Sequence, residues 1–421
     1  MRKKVVINFL QNITLLTLTV TAVLLLTRFP MLEGIVGGQM RAILSVPENN
    51  VQRTVNLTGV IPSVHLVVTA ETEFGRHTQM YASTEGAEFQ RLRPLLRGAI
   101  GSVAEKRGAT HAEFRNALET PGIYVDLTTA LPGAVVAAWL GESLAVEETI
   151  QALALTTARE TALLFLVCED GSLLRCECAL TSSAVREITA LFSPNGGQFA
   201  YESTYSTLAP YTVLVQSINR APQMSVSIPA GYSSYHLLTA LHFNAHTNSR
   251  YFESSGTEVI MQAPHFLWVG TDGAVHYSSD GEVTDSLYRI ACAGDSPSAV
   301  EVLEGAYYLA TVLRDGTDAT PLSLERMEQT ERGWIVDFCY RLEGVRVRLA
   351  QERAALRVVV EGDTITGFDY YCRAYTPTQE EGVLLPPRMA VAIAAEHEGA
   401  VLTLAYVDIG EGVHSAHWFA E

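Results

Sequence analysis

The sequence lacks the short motifs that mark common classes of enzyme. It contains no G-x-S-x-G or S-x-x-K pattern, no G-x-x-x-x-G-K-[S/T] or G-x-G-x-x-G loop, and no C-x-x-C pair. The first two patterns place a nucleophilic serine, the next two cradle phosphate groups, and the last serves redox or zinc chemistry. Their absence predicts a protein that is not an enzyme and that has no cofactor and no bound metal.

Basic residues are also scarce. The chain has 29 Lys and Arg, only three of them lysines, against 46 Asp and Glu, and its formal net charge is −17. Four of the basic residues lie before position 29, so the remaining chain carries 25 basic against 46 acidic residues, a balance of −21. Such a surface repels phosphate backbones and anionic lipid, which excludes nucleic acid as a partner.

Charge is absent altogether from residues 5–27, a run of 23 residues. This length is enough to cross roughly 30 Å of hydrocarbon at about 1.5 Å per residue. A cleaved secretory signal is the alternative, but the run is longer than a typical signal core and no Ala-x-Ala site follows it. We therefore predict a cytoplasmic tip and a single-pass anchor over residues 1–29. Arg2, Lys3 and Lys4 hold the N-terminus in the cytoplasm, and the rest of the chain is extracytoplasmic at the cell membrane.

The predicted anchor carries a polar stripe. Polar side chains in a membrane helix favour contact with another helix. The candidates for such partner binding are Gln11, Asn12, Thr14, Thr17, Thr19 and Thr21.

Beyond the anchor, length and patterning predict an α+β protein of three domains. The 421 residues exceed one ordinary core, and 48% are apolar against 18% charged, which is typical of a folded chain. Clusters of turn residues place the boundaries near Ser206 and Ser298, giving domains over 30–205, 206–298 and 299–421. The last domain should be an antiparallel sheet with helices on one side. Helical spacing of apolar residues predicts helices over 88–108, 111–119, 182–193, 233–243, 299–315 and 386–396, the third with a serine cap.

His242 and His246 form an H-x-x-x-H pair that could begin a zinc site. A zinc protease motif also needs Glu after the first His, where this chain has Phe243, and a third ligand elsewhere. The turn-forming residues 247–249 should end the helix before His246 could act as a ligand. The spacing therefore favours loop histidines, and we predict no metal site here.

Four acidic residues in or beside strands could in principle pair across a cleft as a catalytic dyad: Asp126, Asp272, Asp337 and Asp369. Solvated strand positions are the simpler interpretation, and sequence alone cannot pair them. His265 and His276, which flank the strand around Trp268, are explained by a half-buried strand.

Six cysteines in an extracytoplasmic protein could form three disulfides. Asp170-Gly171 predicts a tight hairpin turn that would place Cys168 opposite Leu173. Cys176 and Cys178 then share one strand face, which favours small core hydrophobes over a disulfide. Similar turns are predicted at Asp272-Gly273 and at Gly362-Asp363.

Three stretches carry a resemblance to a known family. These are "GIYVDLTTALPGAVVAAWL", "LLTALHFNAHTNSRYFESSGTEVIMQAPHFLWVGTDGAVHYSS" and the C-terminal run "GDTITGFDYYCRAYTP…LLPPRMAVAIAAE…LTLAYVDIG". Together with the basic tip and the single span, they resemble the YycH family. Members of that family are accessory regulators of an essential sensor histidine kinase, YycG or WalK, in Gram-positive bacteria. The C-terminal run is similar to the domain that YycH shares with its companion YycI.

The resemblance implies a non-catalytic regulator of a two-component system that controls the cell wall. Its partners would be a YycG/WalK-like kinase and a YycI-like protein. The alternative is an anchored cell-envelope hydrolase or ligand-binding protein. A third possibility, a germination- or peptidase-inhibitor-like protein of similar α+β modules, differs mainly in its partner.

Overall fold

The computed structural model describes residues 56–71, 75–143, 147–205, 207–215, 218, 220–247 and 249–421. The predicted anchor, with its six candidate polar residues, lies outside these ranges. Among the helices of the described ranges, none combines the length and apolarity needed to cross a bilayer. The described parts of 56–242 and 249–421 belong to one compact unit, whose architecture follows.

The described residues form seven α-helices, and these include all six predicted ones. They are α1 Ala87–Gly101, α2 His111–Leu118, α3 Gly133–Leu140, α4 Ser182–Thr189, α5 Ser234–Ala240, α6 Ala299–Arg314 and α7 Pro387–Ala394. Short 3-10 helices cover Leu57–Gly59, Ala200–Glu202, Ser286–Tyr288 and Ala350–Glu352.

Local capping fixes several helix starts. Thr110 with Glu113 and Ser298 with Glu301 form reciprocal capping boxes at α2 and α6. Two predictions need correction. Helix α1 ends at Gly101 rather than extending to 108, and α4 begins after a threonine cap, Thr181, whose side chain accepts from the N–H of Ala184.

The first large sheet is antiparallel and has seven strands in the order β2-β1-β4-β5-β6-β7-β3. The strands are β1 Ser63–Thr69, β2 Arg76–Ser83, β3 Lys106–Gly108, β4 Gly122–Pro132, β5 Thr149–Thr157, β6 Thr161–Cys168 and β7 Leu173–Thr181. Helix α2 and the segment around Phe199 cover one face, where Tyr124 and Phe165 are buried, and α1, α3 and α4 contact the sheet strands as well. A two-stranded ribbon, β8 Gln198–Phe199 with β9 Val213–Leu214, follows.

A small antiparallel sheet has the order β20-β10-β22, formed by β10 Arg220–Ser227, β20 Ala374–Val383 and β22 Gly412–His414. Strand β10 therefore comes from the predicted middle segment, whereas both of its neighbours come from the last one. Helix α7 lies nearby on a satellite core that includes Leu208, Leu214 and Leu402.

The second large sheet has eleven strands. Its order is β11-β12-β13-β14-β19-β18-β16-β17-β21-β23, with β15 also paired to β16. The strands are β11 Arg250–Phe252, β12 Glu258–Gln262, β13 His265–Val269, β14 Ala274–Ser279, β15 Leu322–Gln329, β16 Gly333–Leu342, β17 Val345–Leu349, β18 Leu356–Glu361, β19 Thr364–Tyr371, β21 Leu402–Asp408 and β23 Ala416–Ala420.

This sheet continues across Ser298, because β14 pairs with β19. Within it, β17 and β21 are parallel, so the sheet is not wholly antiparallel as predicted. Helix α6 contacts β16 and β18 through a buried stripe that includes Leu303, Ala306 and Leu313. Helix α3 contacts α6, and β4 contacts β15, so the two large sheets pack together. The described residues thus form a mixed α+β fold in which strands predominate.

The predicted hairpin turns are present at Gly171, Gly273 and Gly362, whose φ angles of 81°, 87° and 58° are left-handed. The register at the first turn differs from the prediction, because Val167 and not Cys168 lies opposite Leu173. The N–H of Cys168 donates to the carbonyl of Ser172 at 2.9 Å, so the loop contains more residues than a two-residue turn.

Candidate functional site

The histidines of the H-x-x-x-H pair have separate roles. Helix α5 ends at Ala240, and His242 follows with a φ of 62°. Its Nδ1 lies 2.9 Å from Oδ2 of Asp285. Burial raises the pKa of Asp285, but hydrogen bonds from His242 and from the N–H of Leu287 outweigh burial and hold this pKa below its usual value. The pair thus ties the end of α5 to the segment before α6.

His246 lies in a turn, as the residues after it predicted. Its main-chain N–H donates to Oδ1 of Asn244 at 3.0 Å, and Thr247 N–H donates to the carbonyl of Asn244. Across the described part of the chain, no group of three or more His, Cys, Asp or Glu side chains is placed to hold a metal ion.

An open groove of about 630 Å³ lies beside His242, between α5 and the C-terminal part of α6. Its two threonine hydroxyls are already engaged, since Thr239 donates to the carbonyl of Tyr235 and Thr311 donates to that of Tyr308. His236 contributes a buried Nε2 that has no hydrogen-bond partner among the described residues. The groove therefore offers a polar lining but no hydroxyl activated by a neighbouring base.

The four acidic candidates do not form a dyad. Asp272 caps its own turn by accepting from the N–H of Ala274 at 3.2 Å. Asp337 makes a bidentate pair with Arg357, with distances of 2.7 and 2.9 Å. Asp369 lies on the other side of Arg357 in the strand register.

His276 and Asp369 extend this row of alternating acidic and basic side chains across the second large sheet. Nδ1 of His276 lies 2.7 Å from Oδ1 of Asp369, and this hydrogen bond is the main reason that the pKa of Asp369 lies below its usual value. The His276 ring also packs on Trp268, with ring centroids 4.9 Å apart. Each carboxylate therefore faces a basic side chain, which is the arrangement of a cross-strand ion-pair ladder.

His265 points to the opposite side of this sheet region. Its ring packs against Tyr277 and Tyr288, and burial lowers its pKa. Both histidines that flank Trp268 are thus accounted for by strand packing, as the sequence favoured.

Asp126 belongs to a polar junction between the two large sheets that the sequence did not indicate. Oδ2 of Asp126 lies 3.8 Å from Nδ1 of His65, and both residues are buried. Burial lowers the pKa of His65, although the Asp126 carboxylate acts in the opposite direction. From the second sheet, Arg341 donates to the carbonyl of Gly344 at 3.2 Å and to Oγ1 of Thr128 at 3.1 Å.

Tyr81 completes this junction. Its hydroxyl donates to the carbonyl of Leu404 at 2.9 Å and accepts from the N–H of Leu404 at 2.7 Å. Burial raises the pKa of Tyr81 to about 12, so the hydroxyl stays protonated. The only local signal for the junction is a histidine inside the otherwise apolar stretch Ser63–Thr69. The arrangement fixes one sheet against the other.

The cysteines are structural. All six thiols are free, and five are buried, Cys292 being partly exposed. Cys176 and Cys178 are buried, which confirms them as core residues. Burial raises the pKa of Cys176 to about 11 and that of Cys339 to about 12, so neither is a reactive thiolate at neutral pH.

Exposed apolar side chains gather at the C-terminal end of β20 and on α7. We call Val383, Leu385, Met389 and Ile393 the α7 patch, and they are 83%, 38%, 55% and 54% exposed. A second exposed group, Tyr251, Phe252 and Met261, lies at the β11 edge of the eleven-stranded sheet. Contiguous exposed apolar surface of this kind is typical of protein-binding sites.

Comparison with known proteins gave no match. No family model, no curated protein and no solved structure matches the chain.

Proposed function

We propose that the protein is a membrane-anchored accessory regulator of a sensor histidine kinase, with an extracytoplasmic α+β region. The observation that carries this proposal is the distribution of side chains in the described region. Its polar candidates are engaged in caps, ion pairs and packing, whereas the four apolar side chains of the α7 patch are exposed. A surface of this type suits protein binding more than catalysis.

The sequence supports the location and the partner. The uncharged run 5–27 provides a span, and the acidic remainder would stand clear of anionic lipid. The resemblance to the YycH family supplies the partners, a YycG/WalK-like kinase and a YycI-like protein. In this proposal the polar stripe of the span contacts the kinase helices and the ectodomain contacts the sensor domain, which together modulate the kinase.

The experiment tests the span and the ectodomain separately. Residues 1–30 fused to an inert domain should co-purify with the kinase from detergent-solubilised membranes. The matched control is the same fusion with Gln11→Leu and Asn12→Leu, which keeps the span but removes two polar contacts and should recover less kinase. Association of the ectodomain alone, with none by the fusion, would refute the role of the span. Association by neither would refute the proposed function.

The groove beside α5 supports a second candidate function, that of an anchored ligand-binding protein. Arg314 lines it without an ion-pair partner among the described residues, and the side chains of His236 and Asp315 line it too. The guanidinium of Arg314 suits an anion such as a carboxylate or phosphate. Calorimetric titration with inorganic phosphate should give saturable heat that Arg314→Met removes, and the absence of heat would dismiss this candidate. An anchored hydrolase is less well supported, because no activated nucleophile lines the groove.

A further inference from the structure

Helix α7 has almost no polar face. Its sequence, PRMAVAIA, contains one charged residue, Arg388. Pro387, Ala390, Val391 and Ala394 are buried, whereas Met389 and Ile393 lie one turn apart on the outer side. A helix that is apolar on all sides is normally buried on all sides, so its outer face lacks a cover in the described region.

The patch is held in a defined position. The carbonyl of Leu385 accepts a hydrogen bond from Nε1 of Trp418 at 2.9 Å, and Pro386 precedes the helix as its N-cap. On the inner side, Oγ1 of Thr207 donates to the carbonyl of Ala395 at 2.6 Å. The segment 385–395 is thus tied to the fold at both ends, and its apolar side chains are presented on a regular helix rather than on a loose tail.

Acidic side chains flank the patch along the chain. Glu380 and Glu381 precede Val383 on β20, and Glu396 and Glu398 follow Ile393. Glu381 is paired with Arg220 at 3.2 Å, while the other three have no ion-pair partner among the described residues. In the described stretch 380–398 and its strand partner Arg220, the arginines are Arg220 and Arg388, so carboxylates outnumber arginines there and the charge is negative.

This charge distribution favours some binding partners of the α7 patch over others. A second copy of the chain would bring one acidic rim against another, in a protein whose net charge is −17. An anionic lipid surface would be repelled for the same reason. We propose that the α7 patch is the docking site for a different protein, whose matching face is apolar at its centre and carries Lys or Arg at its rim. The inference deepens the proposed function, on which it rests, by assigning the ectodomain surface that meets a partner.

The test is site-specific photo-crosslinking in cells that express the full-length protein. A photoreactive phenylalanine analogue at position 389 should give one discrete adduct, and the crosslinked peptide should come from another protein and contain apolar residues flanked by Lys or Arg. Ile393→Glu should reduce the yield at least about tenfold, because it buries an unpaired charge at the centre of the contact. The matched control is Leu191→Glu, at a residue 61% exposed after α4, which should leave the yield unchanged.

Charge-reversal variants test whether the acidic rim contacts basic residues of the partner. The double change Glu396→Lys and Glu398→Lys should reduce the adduct, and an acidic substitution of the basic residue in the crosslinked peptide should restore it. An adduct with the mass of two copies of this chain would instead assign the patch to a second copy, and a crosslink within one molecule would assign it to a segment of the chain itself. Co-sedimentation of the purified protein with phosphatidylglycerol vesicles that Ile393→Glu abolishes would assign it to lipid. Any of these results, or the absence of any adduct, overturns the inference.

The two proposals can fail separately. If the adduct forms but its partner does not belong to a kinase complex, the docking site stands and the proposed function fails. If the kinase co-purifies and Ile393→Glu and the charge reversals leave the adduct unchanged, the function stands and the docking site fails.

Discussion

His65 should make the stability of this protein sensitive to acid. Its imidazole is buried between the two large sheets, where it faces Asp126 from β4, Arg341 from β16 and the ring of Tyr81 from β2. Burial lowers its pKa in the folded state, so the folded protein keeps it neutral at a pH where the unfolded chain already binds a proton. The free energy of unfolding must therefore fall as pH decreases below about 6.5, the ordinary value for histidine.

The size of the effect follows from proton linkage. One imidazole that is charged only in the unfolded state contributes a slope approaching about 1.4 kcal/mol per pH unit, or at most about 2 kcal/mol between pH 8 and pH 5. His65→Gln removes this contribution. Its free energy of unfolding should start below that of the wild type at pH 8, and the difference should shrink toward pH 5.

The assay is denaturant unfolding of the full-length protein at several pH values, followed by tryptophan fluorescence, for which buried Trp139 is a suitable reporter. Tyr81→Phe is the matched control. This substitution removes both hydrogen bonds to Leu404 at the same junction. It should lower the free energy of unfolding by about 1–3 kcal/mol at every pH, without changing the slope of that free energy against pH. Parallel pH curves for the wild type and His65→Gln would refute the reasoning.

Three further predictions concern packing and chemistry. Asp337→Ala should lower the free energy of unfolding by about 1–3 kcal/mol, because it removes the buried partner of a bidentate ion pair. Arg332→Ala, which removes one side of an exposed 3.7 Å pair, should lower it by less than about 0.5 kcal/mol. Equal losses of the two variants in denaturant unfolding would contradict this expectation. Gly273→Ala should cost more than Gly171→Ala, about 2 kcal/mol or more against about 1 kcal/mol of unfolding free energy. Both glycines have positive φ, but a Cβ at 273 would lie 2.7 Å from the carbonyl oxygen of Cys372, whereas a Cβ at 171 would meet nothing within 4 Å; the order of the melting temperatures checks this. A thiol reagent should label one cysteine rapidly in the native protein, Cys292, and six after denaturation, and several fast native thiols would show that the buried cysteines are accessible.

Local features were predictable where the cause lies within a few residues. The glycines of the three hairpin turns signalled their left-handed conformations, and the spacing of apolar residues located six of the seven described helices but not α3. Alternation along β7 predicted the burial of Cys176 and Cys178. The errors were also local. Helix α4 is capped by Thr181 and not by a serine, and the two could not be told apart because the hydroxyl of either residue type can accept the N–H. The end of α1 was placed too late.

The candidate site was less predictable, since its residues meet only through folding. The sequence could name Asp126 but could not indicate that His65 and Arg341 would lie beside it. It likewise could not distinguish Asp337, which is buried against Arg357, from Asp369, which is exposed beside His276. The outer face of α7 was not predictable for a related reason, because a helix with a single charged residue, Arg388, has no polar stripe from which its orientation could be inferred.

By itself, the sequence determined the α+β class, the uncharged N-terminal run, the acidic balance and the positions of helices and turns. These depend on composition, on caps and on backbone preferences that act over a few residues. Only the tertiary structure decided that strands from before and after Ser298 share one sheet, which carboxylates meet a basic side chain, and which apolar residues stay exposed. These contacts join residues that are tens to hundreds of positions apart, so they form only when long loops close. Many strand pairings are compatible with the same alternating pattern, and only the packing of the whole chain determines which of them forms.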